Sequence, residues 1–134
     1  MLLLERADYR GYWQSVTGSQ EIGEALRETA ARELLEETGI DARAHGGLSD
    51  WELSNVYEIY PRWRHRYPDG TTHNTEHVFA LEVPEPVAVT LNPREHLRYQ
   101  WVPWQEAAQK VFSWSNRAAI EELPRRIPTM ARNR

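Results

Sequence analysis

Three glutamates stand close together in this 134-residue chain, at Glu33, Glu36 and Glu37 within the segment Gly18–Ile40. At about 100° per residue, the three side chains occupy one arc of a helix. The helix is predicted to end at Thr38, and a helix C-terminus disfavours each carboxylate by about 0.3–1 kcal/mol. Like charges at these spacings add a repulsion of about 0.2–0.5 kcal/mol per pair. A cation would offset both penalties, so the spacing indicates a metal site.

The chemistry of the candidate site is that of an ion held by carboxylate oxygens. Mg²⁺ prefers oxygen ligands, keeps several waters and is often shared with substrate phosphates. The loop Thr17–Gly23 precedes the helix and can bring backbone carbonyls to the same place. Arg32 has the spacing to pair with Glu28 or Glu36 and to hold the acidic side chains in position. The alternative is a solvated helix with incidental acidic residues, which three glutamates at the unfavourable end make less attractive.

The residues around the glutamates predict a helix from about Glu24 to Thr38, which Gly39 ends. The apolar face of this helix is predicted to consist of Leu26, Ala30, Ala31, Leu34 and Leu35. The glutamates border this face rather than oppose it. We therefore expect the carboxylates at the edge of the packing surface.

Alternation of apolar and polar residues predicts strands in the rest of the chain. The predicted strands are 2–4, 13–16, 48–60 and 99–102, and further helices are predicted at 104–111 and 115–123. Segments 62–67 and 74–83 flank Pro68-Asp69-Gly70, a strong turn signal, and predict a long hairpin. Strands interspersed with a few helices indicate a mixed α/β domain.

A run of basic residues lies in the first arm of that hairpin. As a strand it would place Arg62, Arg64 and Arg66 on one face, opposite Trp63 and His65. Two interpretations stay open for this face, which are contact with a triphosphate and a solvated surface over a buried tryptophan. Nucleic-acid binding is not favoured.

Other histidines and tryptophans give weaker signals. Zinc-ligand spacing is not found among His45, His73, His77 and His96. These histidines are therefore expected to be structural or exposed. Core positions are predicted for Trp51, Trp101 and Trp104. Trp114 fits either the core or a pocket wall.

The composition limits the partners that the chain can have. It contains no cysteine, which excludes disulfides and thiolate metal ligands. Its net charge of −4 gives no general attraction to nucleic acid or to an anionic membrane. No apolar run approaches the roughly 20 residues that span a bilayer, and Met1–Leu4 is too short for a signal peptide. We therefore expect a cytoplasmic protein with no nucleic-acid or membrane partner.

The acidic segment as a whole resembles the signature of the Nudix hydrolases. The matching positions are Gly18, Glu24, Arg32-Glu33-Leu34, Glu36-Glu37, Gly39 and Ile40. The resemblance implies an α/β/α sandwich with a mixed sheet, a divalent cation, and hydrolysis of a nucleoside diphosphate linked to another group. It assigns metal binding and catalysis to Glu33, Glu36 and Glu37. The cation is expected to be Mg²⁺, with Mn²⁺ as an alternative.

The same resemblance bears on the extent of the domain. It predicts a single hydrolase domain at 1–124 and a frayed tail at 125–134. The family usually has a strand before the segment that begins at Leu2, so this first strand is expected to be missing. We expect a monomer or a homodimer.

A narrower resemblance is to the folate-pathway members of the family, which hydrolyse dihydroneopterin triphosphate. It is carried by the stretches 13–19, 64–67, 74–76, 95–97 and 113–117. The resemblance implies that Glu95 is a further metal ligand. It also implies a substrate site that consists of Arg6, Thr17, Tyr57, Glu58, Ile59, Tyr60 and Ser113. A pterin is flat and rich in donors, so tyrosines can stack on it and Glu58 can accept from ring nitrogens.

The function predicted from these resemblances is Mg²⁺-dependent hydrolysis of dihydroneopterin triphosphate to the monophosphate and pyrophosphate. One alternative is a Nudix enzyme that acts on (deoxy)nucleoside triphosphates. Another, of a different class, is a module that binds a nucleotide without chemistry. The intact glutamates of the signature argue against the second alternative.

Overall fold

The computed structural model describes residues 1–127. The strands are β1 (Leu2–Arg6), β2 (Trp13–Gln14), β3 (Ser49–Glu58), β4 (His73–Ala80) and β5 (His96–Trp101). The helices are α1 (Leu26–Thr38), α2 (Trp104–Lys110), α3 (Trp114–Glu121) and α4 (Leu123–Arg126), with 3₁₀ helices at Ala42–His45 and Pro61–Arg66. No helix in this part of the chain is long and apolar enough to cross a membrane.

The strands form two separate sheets. In the first, β1 lies between β2 and β5, and it is antiparallel to both. In the second, β3 and β4 pair as an antiparallel hairpin, with an irregularity between Asp50 and Leu53. Trp13 and Val111 form an isolated parallel β-bridge. The two sheets and the helices together agree with the predicted α/β sandwich.

The hydrophobic core lies where the first sheet meets the C-terminal helices. Its buried members are Leu3, Trp13, Trp51, Ala107, Ala108, Val111, Ile120 and Leu123. Trp51 is therefore a core residue, as predicted. Trp114 is 57% exposed, which rules out a core position for it.

Helix α1 begins two residues later than predicted and ends at Thr38, as predicted. Gly39 has a φ of 78° and donates its N–H to the Leu35 carbonyl, which closes the helix in the left-handed conformation that glycine adopts at little cost. The predicted apolar face is wrong at Leu35, which is 51% exposed. The side chains that the helix buries are Thr29, Glu37 and Thr38. The helix therefore packs on its acidic edge, and one glutamate lies inside the protein.

The predicted hairpin arm at 62–67 is wrong, because residues Pro61–Arg66 form a 3₁₀ helix. Pro61 at its first turn supplies the fixed φ that helical turns accept and lacks the N–H that a strand would use. The three arginines consequently do not line one strand face. β4 pairs with β3 instead, and the turn at Pro68-Asp69-Gly70 joins the 3₁₀ helix to it, with a φ of 83° at Gly70.

The start of the predicted frayed tail is helical. Arg125 and Arg126 belong to α4, and Arg126 Nη1 donates to the Trp51 carbonyl at 2.7 Å. Ile127 follows as the C-cap of α4, and the rest of the predicted tail, 128–134, lies outside the described residues.

A buried carboxylate ties the first sheet together. Glu5 is 4% exposed, and it accepts hydrogen bonds from Arg98 Nε at 2.8 Å and from the Gly11 N–H at 2.9 Å. The Arg98 side chain is the main reason that the pKa of Glu5 lies below its ordinary value of 4.5. The charged form of Glu5 therefore stabilises the contact of β1 with β5.

We predict that Glu5→Gln lowers the free energy of unfolding by about 1–2 kcal/mol at neutral pH, since it weakens two charge-assisted hydrogen bonds. Because the folded-state pKa is lowered, the stabilisation is present above 4.5 and is lost as the pH falls through the folded-state value. Urea unfolding of both proteins over a pH series should show the difference shrinking in acid. Glu106→Gln, at an exposed carboxylate of α2, is the control. A difference that does not change with pH would contradict this role.

Candidate active site

Glu37 is a buried carboxylate whose negative charge is poorly compensated by its surroundings. It is 5% exposed, and its Oε2 has no hydrogen-bond partner among the described residues. The Thr17 backbone N–H lies close enough to this carboxylate to favour its charged form. Burial, with the nearby charges of Glu33 and Glu95, raises the pKa of Glu37 to about 8. Glu37 is therefore more buried than predicted, since the sequence placed it at the edge of the packing surface.

The turn before β5 brings two further candidate ligands to Glu37. One ligand atom each from Glu37, Glu95 and His96 lies within 4.8 Å of the others. The turn is held by hydrogen bonds of the Glu95 and His96 N–H groups to the Asn92 carbonyl, both at 3.0 Å. The Glu95 carbonyl accepts from the Ala7 N–H at 2.9 Å, which fixes the turn to the end of β1. The structure thus places Glu95 beside the helix glutamates, as the resemblance implied.

His96 was expected to be structural or exposed, and its position beside two glutamates was not predicted. It is 3% exposed, its Nδ1 has no partner within residues 1–127, and its Nε2 lies 3.3 Å from Gln14 Nε2. Burial lowers the pKa of His96, which favours the neutral imidazole that can act as a ligand. Sequence spacing could not reveal this site, because the partners of His96 come from β2 and α1. Its only local signal was the adjacency to Glu95.

Glu33 packs directly against the loop that precedes α1. A Cβ added at Gly18 would lie 2.0 Å from Glu33 Cγ, so only glycine leaves room for this side chain. Burial raises the pKa of Glu33, with Glu36 and Glu95 adding to the rise and Arg32 opposing it. The glycine of the acidic segment is therefore required by steric contact with a glutamate rather than by a positive φ.

Arg32 organises the acidic side chains that face the loop. Its Nε donates to Glu24 Oε2 at 2.7 Å, and its Nη1 donates to Glu33 Oε1 at 2.8 Å and to Glu36 Oε2 at 3.2 Å. Its Nη2 donates to the Ser19 carbonyl at 3.0 Å. The Arg32 guanidinium is the main reason that the pKa of Glu24 falls to about 2. The predicted pair with Glu36 is present, and Glu24, which precedes α1, pairs with Arg32 in place of Glu28.

Arg6 lies opposite His96 in the β1–β5 register. Its guanidinium is already engaged, with two hydrogen bonds to Asp8 at 2.8 and 2.7 Å and one to Gln14 Oε1 at 3.1 Å. It also lies 4.3 Å from the centre of the Trp63 ring. Gln14 Nε2 lies 3.4 Å from Thr17 Oγ1, so Gln14 links Arg6 to the loop beside Glu37.

The predicted substrate residues Tyr57–Tyr60 do not share one surface. Tyr57 accepts from Asn74 Nδ2 at 3.2 Å, whereas the exposed Glu58 pairs with Arg64 at 3.0 Å. Ile59 is buried at 2% exposure, and Tyr60 stacks on Trp63 with ring centres 5.3 Å apart. Strand alternation separates the first two side chains, and the turn into the 3₁₀ helix redirects the last.

Ser113 caps helix α3 and connects it to the same loop. Its Oγ accepts from the Asn116 N–H at 3.3 Å and lies 2.9 Å from Ser115 Oγ. Asn116 in turn accepts from the Ser15 N–H at 2.9 Å and donates to Ser15 Oγ at 2.8 Å. The α3 N-terminus is therefore fixed to the segment that leads to Thr17.

This arrangement suits the binding of a cation by several carboxylates next to a phosphate-bearing ligand. Comparison with known proteins agrees with it. The dihydroneopterin triphosphate diphosphatase of Escherichia coli strain K12 is 43% identical over 124 residues, 92% of this chain and 81% of that protein. The enzyme of the same name from Haemophilus influenzae is 37% identical over 91% of this chain and 77% of its own length.

Solved structures show the same relationship. The structure of the E. coli dihydroneopterin triphosphate pyrophosphohydrolase superposes with a TM-score of 0.85 at 43% identity, covering 90% of this chain and 82% of that one. Residues 1–123 match the NUDIX domain family. The acidic helix, the loop that packs on Glu33 and the match over nearly the whole described chain together show that this protein belongs to the NUDIX hydrolase family.

Proposed function

We propose that this protein hydrolyses dihydroneopterin triphosphate to dihydroneopterin monophosphate and pyrophosphate, with Mg²⁺ as the cation and Mn²⁺ as a substitute. The observation that carries the proposal is the meeting of Glu37 and Glu95 beside Glu33 at the end of α1. The substrate is inferred from the similarity to enzymes that bear this activity in their names. A cytoplasmic location and a monomeric or homodimeric state stay predictions.

The carboxylates suit a divalent cation on their own chemistry. We assign metal binding to Glu33, Glu36, Glu37 and Glu95, with His96 as a neighbouring candidate ligand. Glu37 Oε2 lacks a partner in the described chain, and its neighbours repel its charge, so a cation would relieve an unfavourable arrangement. When bound, a divalent cation neutralises phosphate charge and lowers the pKa of a water molecule.

Glu33 is the residue that we assign as general base. Arg32 holds one of its oxygens at 2.8 Å, and the backbone of Gly18 limits the rotamers that its side chain can take. The pKa of Glu33 is raised by burial, and a raised pKa makes a carboxylate a stronger proton acceptor. In this role it takes the proton of the water whose oxygen attacks phosphorus, while a bridging phosphorus–oxygen bond between the α- and β-phosphates breaks.

Substrate positioning is assigned to residues on the loop side of the site. Arg6 is oriented by Asp8 and Gln14 and contributes positive charge for the triphosphate. Thr17 offers its hydroxyl next to Glu37, and Ser113 stands at the N-terminus of α3. Tyr57, Glu58, Ile59 and Tyr60 stay proposed contacts of the heterocycle.

The first prediction of the proposed function concerns the substrate. Dihydroneopterin triphosphate should be hydrolysed with a higher kcat/KM than each of the common ribo- and deoxynucleoside triphosphates, and EDTA should abolish turnover, since the carboxylates need a cation. Product analysis by chromatography should give pyrophosphate and the monophosphate. A preference for a nucleotide would favour the nucleotide pyrophosphatase alternative, and binding without turnover would favour the non-catalytic module.

The second prediction concerns the base. Glu33→Gln should lower kcat by about 10²–10⁴-fold, as expected for loss of general-base catalysis, while the fold is retained. Steady-state kinetics and circular dichroism measure the two effects. Glu28→Gln, at an exposed position of the same helix, is the matched control and should leave kcat unchanged. Full turnover by a folded Glu33→Gln protein would remove this assignment.

The third prediction tests the packing of Gly18. Gly18→Ala should displace the Glu33 side chain, because the added methyl group would overlap Glu33 Cγ. A displacement of about 1 Å at a catalytic group can cost about 10²-fold in rate, so kcat should fall by roughly that factor. The thermal midpoint should change little, since the clash is with a movable side chain. Gly47→Ala is a control for the loss of a glycine in open space, where we expect strain without an effect on kcat. Unchanged kcat in Gly18→Ala would contradict the role of this contact.

A further inference from the structure

The inward face of the β3–β4 hairpin changes from apolar to polar along its length. Residues that pair across an antiparallel ladder share a face of the sheet. The pairs on this face are Leu53–Val78, Asn55–Glu76 and Tyr57–Asn74. Leu53 and Val78 pack against the hydrophobic core, whereas the next two pairs are polar. On the opposite face Val56 is 60% exposed, so the usual pattern is reversed here.

The polar atoms of the central pair are only partly satisfied. Asn55 Nδ2 is buried and has no hydrogen-bond partner within the described chain. Burial raises the pKa of Glu76, and the nearby Ser115 side chain opposes part of that rise. An ionised carboxylate accepts up to four hydrogen bonds, and a buried amide donor without a partner costs free energy. The pair therefore has the capacity for at least two donors and one acceptor of a ligand.

Helix α3 adjoins both this pair and the segment that leads to the acidic site. Ser115 Oγ lies 2.9 Å from Ser113 Oγ. Asn116, the next residue of α3, forms two hydrogen bonds with Ser15. Ser15 lies two residues before Thr17, whose backbone N–H lies near Glu37. The exposed side chain of Trp114 stands between the two serines. The N-terminal part of α3 thus lies next to both the polar pair and the segment that leads to Thr17.

The Glu76 carboxylate and the Asn55 amide together are complementary to a heterocycle edge that carries two adjacent N–H donors and then a carbonyl. A carboxylate accepts from two parallel N–H groups, and an amide N–H donates to the carbonyl. A 2-amino-4-oxo-pyrimidine ring presents these groups in this order, and dihydropterin and guanine share it. Adenine does not present them.

We propose that Glu76 and Asn55 bind the 2-amino-4-oxo-pyrimidine edge of the substrate, with Glu76 accepting from the 2-amino and ring N–H groups and Asn55 donating to the oxo group. This inference rests on the proposed function for the presence of a triphosphate substrate. Glu58 fits the acceptor role less well, since its side chain is 66% exposed and pairs with Arg64. In this proposal Glu76, rather than the predicted Glu58, accepts hydrogen bonds from the ring nitrogens.

A comparison of two nucleotides tests the inference on the unaltered protein. dITP differs from dGTP only in lacking the 2-amino group, so it removes one donor to Glu76. The kcat/KM for dITP should be about tenfold or more below that for dGTP, the range expected for loss of one specific base contact. If either nucleotide turns over too slowly, its inhibition constant against the faster substrate replaces kcat/KM. Equal values for dGTP and dITP would overturn the inference.

The variant Glu76→Gln should remove this discrimination. It should lower kcat/KM for dGTP and dihydroneopterin triphosphate by about tenfold or more, while the values for dITP and dATP change by less than about threefold. Glu82→Gln, at an exposed carboxylate shortly after β4, is the matched control and should leave all four values unchanged. Equal losses on all four substrates would indicate a structural role and overturn the inference, and so would a selective loss in Glu58→Gln instead of Glu76→Gln.

The two proposals fail in different ways. A protein that prefers dGTP to dihydroneopterin triphosphate, yet still discriminates dGTP from dITP through Glu76, would contradict the proposed function and support the inference. A protein that prefers dihydroneopterin triphosphate but ignores the 2-amino group of nucleotides would do the reverse.

Discussion

The site depends on one unfavourable electrostatic arrangement, a carboxylate at Glu37 that is buried next to other carboxylates. Its pKa of about 8 shows how strongly burial and its neighbours disfavour its charge. Within the described chain, the Thr17 N–H offers it partial compensation, and Arg32 is directed to Glu24, Glu33 and Glu36 instead. The protein thus neutralises the outer part of the cluster and leaves the inner part in need of a cation. This arrangement requires helix α1 to pack on its acidic edge.

The scaffold around Glu37 is built to keep that arrangement in place. Strand β1 lies at the centre of its sheet and positions both flanks of the site, because β2 leads to the loop with Thr17 and β5 starts at His96. The Glu95 turn is bonded to the end of β1, and the Glu5–Arg98 pair joins the same two strands. Rigid attachment matters since preorganised groups lose little entropy when a ligand binds.

The two proposals assign reaction and recognition to different parts of the molecule. The acidic cluster comes from α1 and the turn before β5, whereas the polar inward face comes from the β3–β4 hairpin and meets the N-terminus of α3. The two regions are linked through Ser15 and Asn116. Such a division allows the hydrolytic site to stay constant while the heterocycle that is recognised changes with a few residues of the hairpin.

The sequence by itself determined the features that depend on local spacing. The C-terminal end of α1, the stop at Gly39 and the arc of Glu33, Glu36 and Glu37 follow from helical periodicity and glycine conformation. Tertiary structure decided the rest. The contact of Glu37 with Glu95 and His96 joins segments that are far apart in sequence, so no periodicity encodes it. The burial of Glu37 in place of Leu35, and the pairing of β4 with β3 rather than with residues 62–67, likewise follow from packing between distant elements, which local patterns do not specify.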